Sequence, residues 1–240
     1  MDDKDGGDDK DGLESDARAA ERLTFFSDAV IAIAMTLLAI ELPIPDGGSI
    51  SAFWSSVKDD AGHYAAFLIS FAAIAAAWNS HHDIFRYVKR VDTRVRTLNT
   101  TWLLMIVLTP FATRLLTAGG EATVPLRFGF YALVQLLDSA LLLTMLRHMI
   151  ARQELAGIPK EVLTAWVWRN YSPMLAFGLS IPVFFATSYG WVLWFAVPMA
   201  LARLHRVPPH LRNGRGRAGP TGGRGSSRPP DPGRGDAPGP

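Results

Sequence analysis

One stretch constrains this chain more than any other: Arg22-Leu-Thr-Phe-Phe-Ser-Asp-Ala-Val-Ile-Ala-Ile-Ala-Met-Thr-Leu-Leu-Ala-Ile-Glu-Leu42. Between Arg22 and Glu41 its single ionisable residue is Asp28. At ~1.5 Å of rise per residue, a helix of this length crosses the ~30 Å hydrocarbon layer of a bilayer. A carboxylate held at membrane depth is costly unless something pairs with it, so Asp28 is a candidate functional group.

Apolar runs of similar length recur down the chain. A second span covers about 63–85 and is rich in alanine, which lets helices approach closely where lipid gives no hydrophobic drive to associate. Its end carries Trp78, His81, His82 and Asp83. A third, about 98–117, contains Pro110, which should kink or end a helix because it lacks one backbone donor. A fourth, about 126–149, holds Asp138; a fifth, about 166–188, is interrupted by Pro173 and Pro182. A short sixth, about 190–205, follows a turn at Gly190 that admits only an antiparallel pair. The expected class is an all-α membrane protein with six transmembrane helices per subunit.

The ends differ sharply from this middle, and that contrast, more than the 49% hydrophobic average, argues for a membrane protein. Residues 1–18 are acidic, lack apolar periodicity and read as a disordered tail. They also lack the basic start of a secretory signal, so the first span is expected to remain in the membrane. Residues 206–240 are Gly, Pro and Arg with scattered Ser and read as a second disordered tail. That tail has no interleaved aromatics for base stacking, so no nucleic-acid partner is expected. Residues 19–205 form the six-helix domain between the tails. With no cysteine, disulfides and thiolate metal sites are excluded.

Orientation follows from Lys and Arg. One set of links holds Arg86, Lys89, Arg90, Arg94 and Arg96, then Arg147, Arg152, Lys160 and Arg169; the opposite set holds only Lys58, Arg114 and Arg127. Both termini are therefore expected in the cytoplasm, in a multi-pass plasma-membrane protein of bacterial type. The link around residues 46–60 carries Phe53 and Trp54, which suit headgroup level.

At about 100° per residue, Arg22, Phe26, Ile33, Leu37 and Ile40 fall on one face of the first span. Asp28 projects to the opposite side with Thr24 and Met35; Ser27 is intermediate, and Thr36 borders the apolar stripe. The stripe suits ordinary packing, lipid contact or a pore lining, and periodicity does not choose among them. Asp28 suits a structural brace, a proton relay, an ion site or a catalytic base. The second span brings Trp78 and His81 to the same depth, with both His81 and His82 spaced to touch the indole.

These residues carry a resemblance. Arg22, Phe26-Ser27-Asp28, Ala29-Val30, Ala32-Ile33-Ala34 and Thr36-Leu37-Leu38, with Glu41 closing the helix, resemble the transmembrane protein 175 family: the lysosomal potassium channel and its six-span bacterial relatives. Trp78-Asn-Ser-His81-His82-Asp-Ile-Phe85 is similar to the family's second motif, and Leu98-Asn99 and Thr109-Pro110-Phe111 also fit it. Ala39 and Met35 depart from it, standing where a larger and a branched aliphatic residue are usual.

The resemblance implies a homotetramer in a lipid bilayer, with the first helix lining a central pore. It implies permeant potassium ions, no cofactor, no metal and no enzymatic activity. Carried over, the constriction rings are Ile33, Leu37 and Ile40 with Thr36 near the path and Ile33 narrowest; Arg22, Phe26, Ser27, Asp28, Trp78 and His81 form the network that holds the helix. The implied activity is a leak-type potassium channel, modestly selective over sodium. The rival readings are a proton-coupled secondary transporter using Asp28 or Asp138, and an intramembrane metal-dependent hydrolase built on Ser27, Asp28, His81, His82 and His63. For the latter, His63 should lie at the opposite membrane face from His81.

Overall fold

In the computed structural model, which describes residues 5–152, 155–157 and 160–204, the chain is helical almost throughout. Seven α-helices run among the described residues: α1 Asp5–Ile40, α2 Ile50–Asp59, α3 Ala61–Phe85, α4 Thr93–Thr117, α5 Val124–Ala151, α6 Lys160–Thr187 and α7 Leu193–Leu204. Among the described residues, four segments are long and apolar enough to cross a membrane: 14–40, 61–85, 93–117 and 121–151. The fifth and sixth expected spans correspond to α6 and to the short α7. The expected tail 206–240 lies outside the described residues, as do residues 1–4.

Three differences from the sequence reading have local causes. First, α1 begins at Asp5, so much of the acidic segment expected to lack structure is drawn as helix. Arg18 and Glu14 pair at 2.8 Å one turn apart, and Asp16 accepts from Arg90 at 2.6 Å, which ties this extension to the link before α4. Second, the polar link after α1 contains α2. Ser49 caps it by accepting from the Ala52 N–H at 3.1 Å, and Phe53 and Trp54 meet edge to face. None of its residues is buried, as suits a short helix lying in the membrane surface.

Third, the prolines do not interrupt their helices. Pro110 lies inside α4, and Pro173 and Pro182 inside α6. Around Pro110, the Thr109 and Thr113 hydroxyls donate to the carbonyls of Met105 and Thr109, adding side-chain bonds where the ring removes a backbone donor. α1 does stop before its prolines. Ile40 is its last residue, and the Pro43 carbonyl accepts from the Tyr64 hydroxyl at 2.9 Å.

The core lies between α1, α3, α4 and α5. Ile31, Ala34 and Leu38 of α1 meet Ile74 and Ile84 of α3, Trp102 and Ile106 of α4, and Leu142, Met145 and Leu146 of α5. A second region joins α5 to α6 and α7: the Phe128 ring stacks on Phe184 at 3.8 Å and on Trp194 at 5.0 Å. The α6–α7 turn depends on Gly190. A Cβ there would come within 2.4 Å of the Ser180 carbonyl oxygen and 2.7 Å of Phe184 Cβ, so no larger residue fits.

At the end rich in basic residues, two links pair. The Lys89 N–H donates to the Leu155 carbonyl at 2.8 Å, beside a bridge between Val88 and Ala156. Asp92 caps α4, accepting from the Val95 N–H at 2.7 Å and from His148 Nε2 at 2.7 Å. Burial pushes the Asp92 carboxyl up. The Val95 N–H, the His148 hydrogen bond and the charges of His148 and Arg152 outweigh it, leaving the group below the usual carboxylate range.

Candidate pore helix and its buried anchor

The two faces of α1 have separate environments. Ser27, Ile31, Ala34 and Leu38 recur every three or four residues and are buried against the bundle. Phe26, Ile33, Leu37 and Ile40 lie on the other face and are uncovered in the subunit, Ile33 at 60% exposure and Ile40 at 75%. Exposed large apolar side chains in a row mark a surface meant for lipid or a partner. Thr36 shares that surface, and its hydroxyl donates to the Ile33 carbonyl at 2.8 Å. The oxygen lone pairs of Thr36 remain available as acceptors.

Ser27 is the centre of the buried face, although the projection made it intermediate. Its Oγ donates to the Leu23 carbonyl at 2.8 Å and accepts from Asn99 Nδ2 of α4 at 2.9 Å. Asn99 Oδ1 then meets His81 Nε2 of α3 at 2.9 Å. Ser27, Asn99 and His81 are each 0% exposed, so one short polar chain joins three helices inside an apolar core. Leaving any member unsatisfied there is expensive, so the chain specifies how α1 seats on its neighbours.

The His81 ring lies between two aromatics, 4.0 Å from Phe85 and 4.6 Å from Trp102, the latter stacked nearly parallel at 2°. It therefore does not touch the Trp78 indole, contrary to the spacing argument. His82 does, with ring centroids 5.8 Å apart. Trp78 instead turns its Nε1–H to Asp28, which accepts at 2.9 Å. Asp28 is half-buried and reaches α3 through this bond, on the side of α1 away from the stripe.

The expected network thus divides in two. Ser27 and His81 belong to the buried chain through Asn99, a member that the sequence reading did not assign to it; Asp28 and Trp78 form a separate pair nearer the surface. Arg22 and Phe26 are exposed on the stripe side, and among the described residues neither joins the hydrogen-bonded chain. The signals for Asn99 were its place in the family resemblance and an uncharged amide in an apolar run at the depth of Ser27 and His81. Which helices face one another is what makes it a link.

Glu41, just beyond the end of α1, pairs with Arg114 at 3.3 Å. Asp46 is exposed and accepts from the Gly48 N–H at 3.0 Å. His63 lies near the opposite end of α3 from His81, beside Asp60 at 3.5 Å, so the histidines of the hydrolase reading do not converge.

Residues 22–110 match the family model described as the endosomal/lysosomal potassium channel TMEM175. A potassium channel of Streptomyces collinus is 36% identical over 95 residues, covering 40% of this chain and 46% of that protein. One from a Chryseobacterium species is 33% identical over 134 residues, covering 55% of this chain and 66% of that one. The matches thus span between about half and two thirds of these relatives' lengths. In fold, the chain is similar to the crystal structure of a lysosomal potassium-selective channel TMEM175 homolog from Chamaesiphon minutus. The TM-score is 0.66 at 24% identity, over 78% of this chain and 98% of that one.

Proposed function

We propose, from the TMEM175 sequence that residues 22–110 match, that this chain is a subunit of a potassium-permeable channel whose pore is lined by α1. One observation carries the reading: α1 is anchored on one face by the buried Ser27–Asn99–His81 chain, while its opposite face leaves Ile33, Leu37 and Ile40 uncovered. Four copies around an axis would close that face into stacked apolar rings, with Ile33 narrowest and Thr36 beside the path. Six spans and two cytoplasmic termini complete the topology, which agrees with the bias of basic links. In that assembly Arg22 and Phe26 stand at the inner entrance, Asp28 braces α1 through Trp78, and the tails 1–18 and 206–240 lie in the cytoplasm.

The mechanism is passive. An apolar ring obstructs permeation by excluding water, and an ion crosses it only by giving up hydration. Potassium sheds water more easily than sodium, and the Thr36 oxygens return too little to close the gap for sodium. The result is a leak with modest preference for potassium and no cofactor.

Reversal potentials in reconstituted liposomes under opposed potassium and sodium gradients test this directly. A reversal potential displaced toward the potassium equilibrium value is expected, and absent current or equal permeability would overturn the reading. Ile33→Asn is expected to raise conductance and weaken selectivity. Unchanged behaviour in that variant would place the pore elsewhere.

A further inference from the structure

The proposed pore does not use a cavity of about 250 Å³ at the inner end of α1, where that helix meets the last turn of α3. Ala20, Thr24 and Phe25 line it from α1, and His82, Phe85 and Arg86 from the end of α3. Its chemistry is divided. Phe25, 63% exposed, and the buried Phe85 supply apolar wall; Arg86 and His82 supply a cation and an imidazole, while the Thr24 hydroxyl donates back to the Ala20 carbonyl at 3.0 Å.

Arg86 is available for an anion. Its guanidinium lies over the Tyr87 ring, 4.9 Å from the centroid, and among the described residues it has no carboxylate within ion-pair distance. The nearby acids are engaged elsewhere: Asp83 with Arg169 at 2.9 Å, Asp28 with Trp78, and Asp16 with Arg90. Glu21 is the one acid lining the cavity, on an exposed part of α1. Against it stand Arg86 in the lining and Lys89 further along the same link, so basic charge outnumbers acid there and favours an anion.

A basic group and an imidazole beside an apolar wall, at the membrane face that carries most basic residues, complement one class of ligand. We propose that this cavity binds an anionic phospholipid of the cytoplasmic leaflet, its phosphate at Arg86 and His82 and an acyl chain along Phe25 and Phe85. The assignment to that leaflet rests on the orientation proposed above. Bound there, the lipid lies against α1 one turn from Ser27 and Asp28 and steadies the inner end of the pore helix.

Native mass spectrometry of the full chain tests this, after equilibration with vesicles of dioleoylphosphatidylglycerol or dioleoylphosphatidylcholine. Retention and thermal stabilisation by the phosphatidylglycerol alone are expected. Arg86→Gln should weaken phosphatidylglycerol binding about fivefold, the effect of one interfacial basic charge, and Arg86→Lys should restore most of it. Inorganic phosphate at equal concentration should not displace the lipid. Equal retention of both lipids, unchanged affinity in an Arg86→Gln protein of wild-type melting temperature, or displacement by phosphate would each overturn the proposal. Potassium flux is read separately: lipid retention without flux removes the pore and keeps this site, whereas flux without retention removes this site alone.

Discussion

α1 and α5 are both long apolar helices, yet they spend their apolar side chains differently. The apolar span that contains α5 is 56% buried, with Tyr131, Ala132, Met145, Leu146 and Met149 wholly covered by neighbouring helices. That within α1 is 22% buried, although it is the more apolar stretch of the two. In water this order would be perverse. In a bilayer, lipid covers apolar surface as well as protein does, so hydropathy places a helix in the membrane without saying what it faces. The burial of α5 is therefore a packing fact, and the exposed stripe of α1 is a surface left for something outside the subunit.

The contrast makes its largest prediction at the core. Leu146→Ala on α5 should cost about 2–5 kcal/mol of stability, as buried leucines do, with the ion preference of the surviving protein unchanged. Ile33→Ala on α1 should stay within about 0.5 kcal/mol, as exposed substitutions do, while altering ion flux. Thermal unfolding in detergent beside liposome flux separates the two. Equal destabilisation at both positions would erase the distinction between them.

A smaller effect is expected where α1 is anchored. Asn99→Leu leaves Ser27 Oγ and His81 Nε2 without their partner in an apolar interior, a loss of about 1–3 kcal/mol. Because Asn99 is buried and no part of the exposed stripe, any change in conductance in this variant reports the seating of α1. Wild-type melting and wild-type flux together would show that the buried chain does not position the helix.

The smallest effect lies outside the membrane, at the cap of α4. Asp92 titrates below its unfolded value, so its contribution to stability is full above the ordinary carboxylate range near about pH 4 and is lost as pH falls through the lowered folded value. Asp92→Asn retains the cap and removes the charge facing His148, a change of under about 1 kcal/mol at neutral pH. Melting temperatures of the two proteins should converge as the solution is acidified. A constant difference across that range would assign the stabilisation to something other than Asp92.

Much of the helical plan was legible in the sequence. The second to sixth apolar runs predict α3 to α7 to within a few residues at most ends, because uninterrupted apolar segments bounded by basic or Gly/Pro-rich links leave few alternatives. The face bearing Ile33, Leu37 and Ile40 was legible too, since helical periodicity fixes which residues share a side. What escaped was pairing. α2 was hidden in a polar link, although Ser49 followed by Ile50, Phe53 and Trp54 has the spacing of a capped amphipathic turn. Asp16 of α1 pairs with Arg90, seventy-four positions apart, a contact that no local pattern reveals.

The sequence by itself therefore determined that this chain is helical, belongs in a membrane and resembles a potassium-channel family, because length, apolarity and a spaced set of polar residues are local properties. Only the tertiary structure decided which polar residues work together. Asn99 joins Ser27 to His81, while Asp28 turns aside to Trp78 and Arg22 stands apart, because three helices cross at one depth and only their packing brings those side chains within hydrogen-bonding reach.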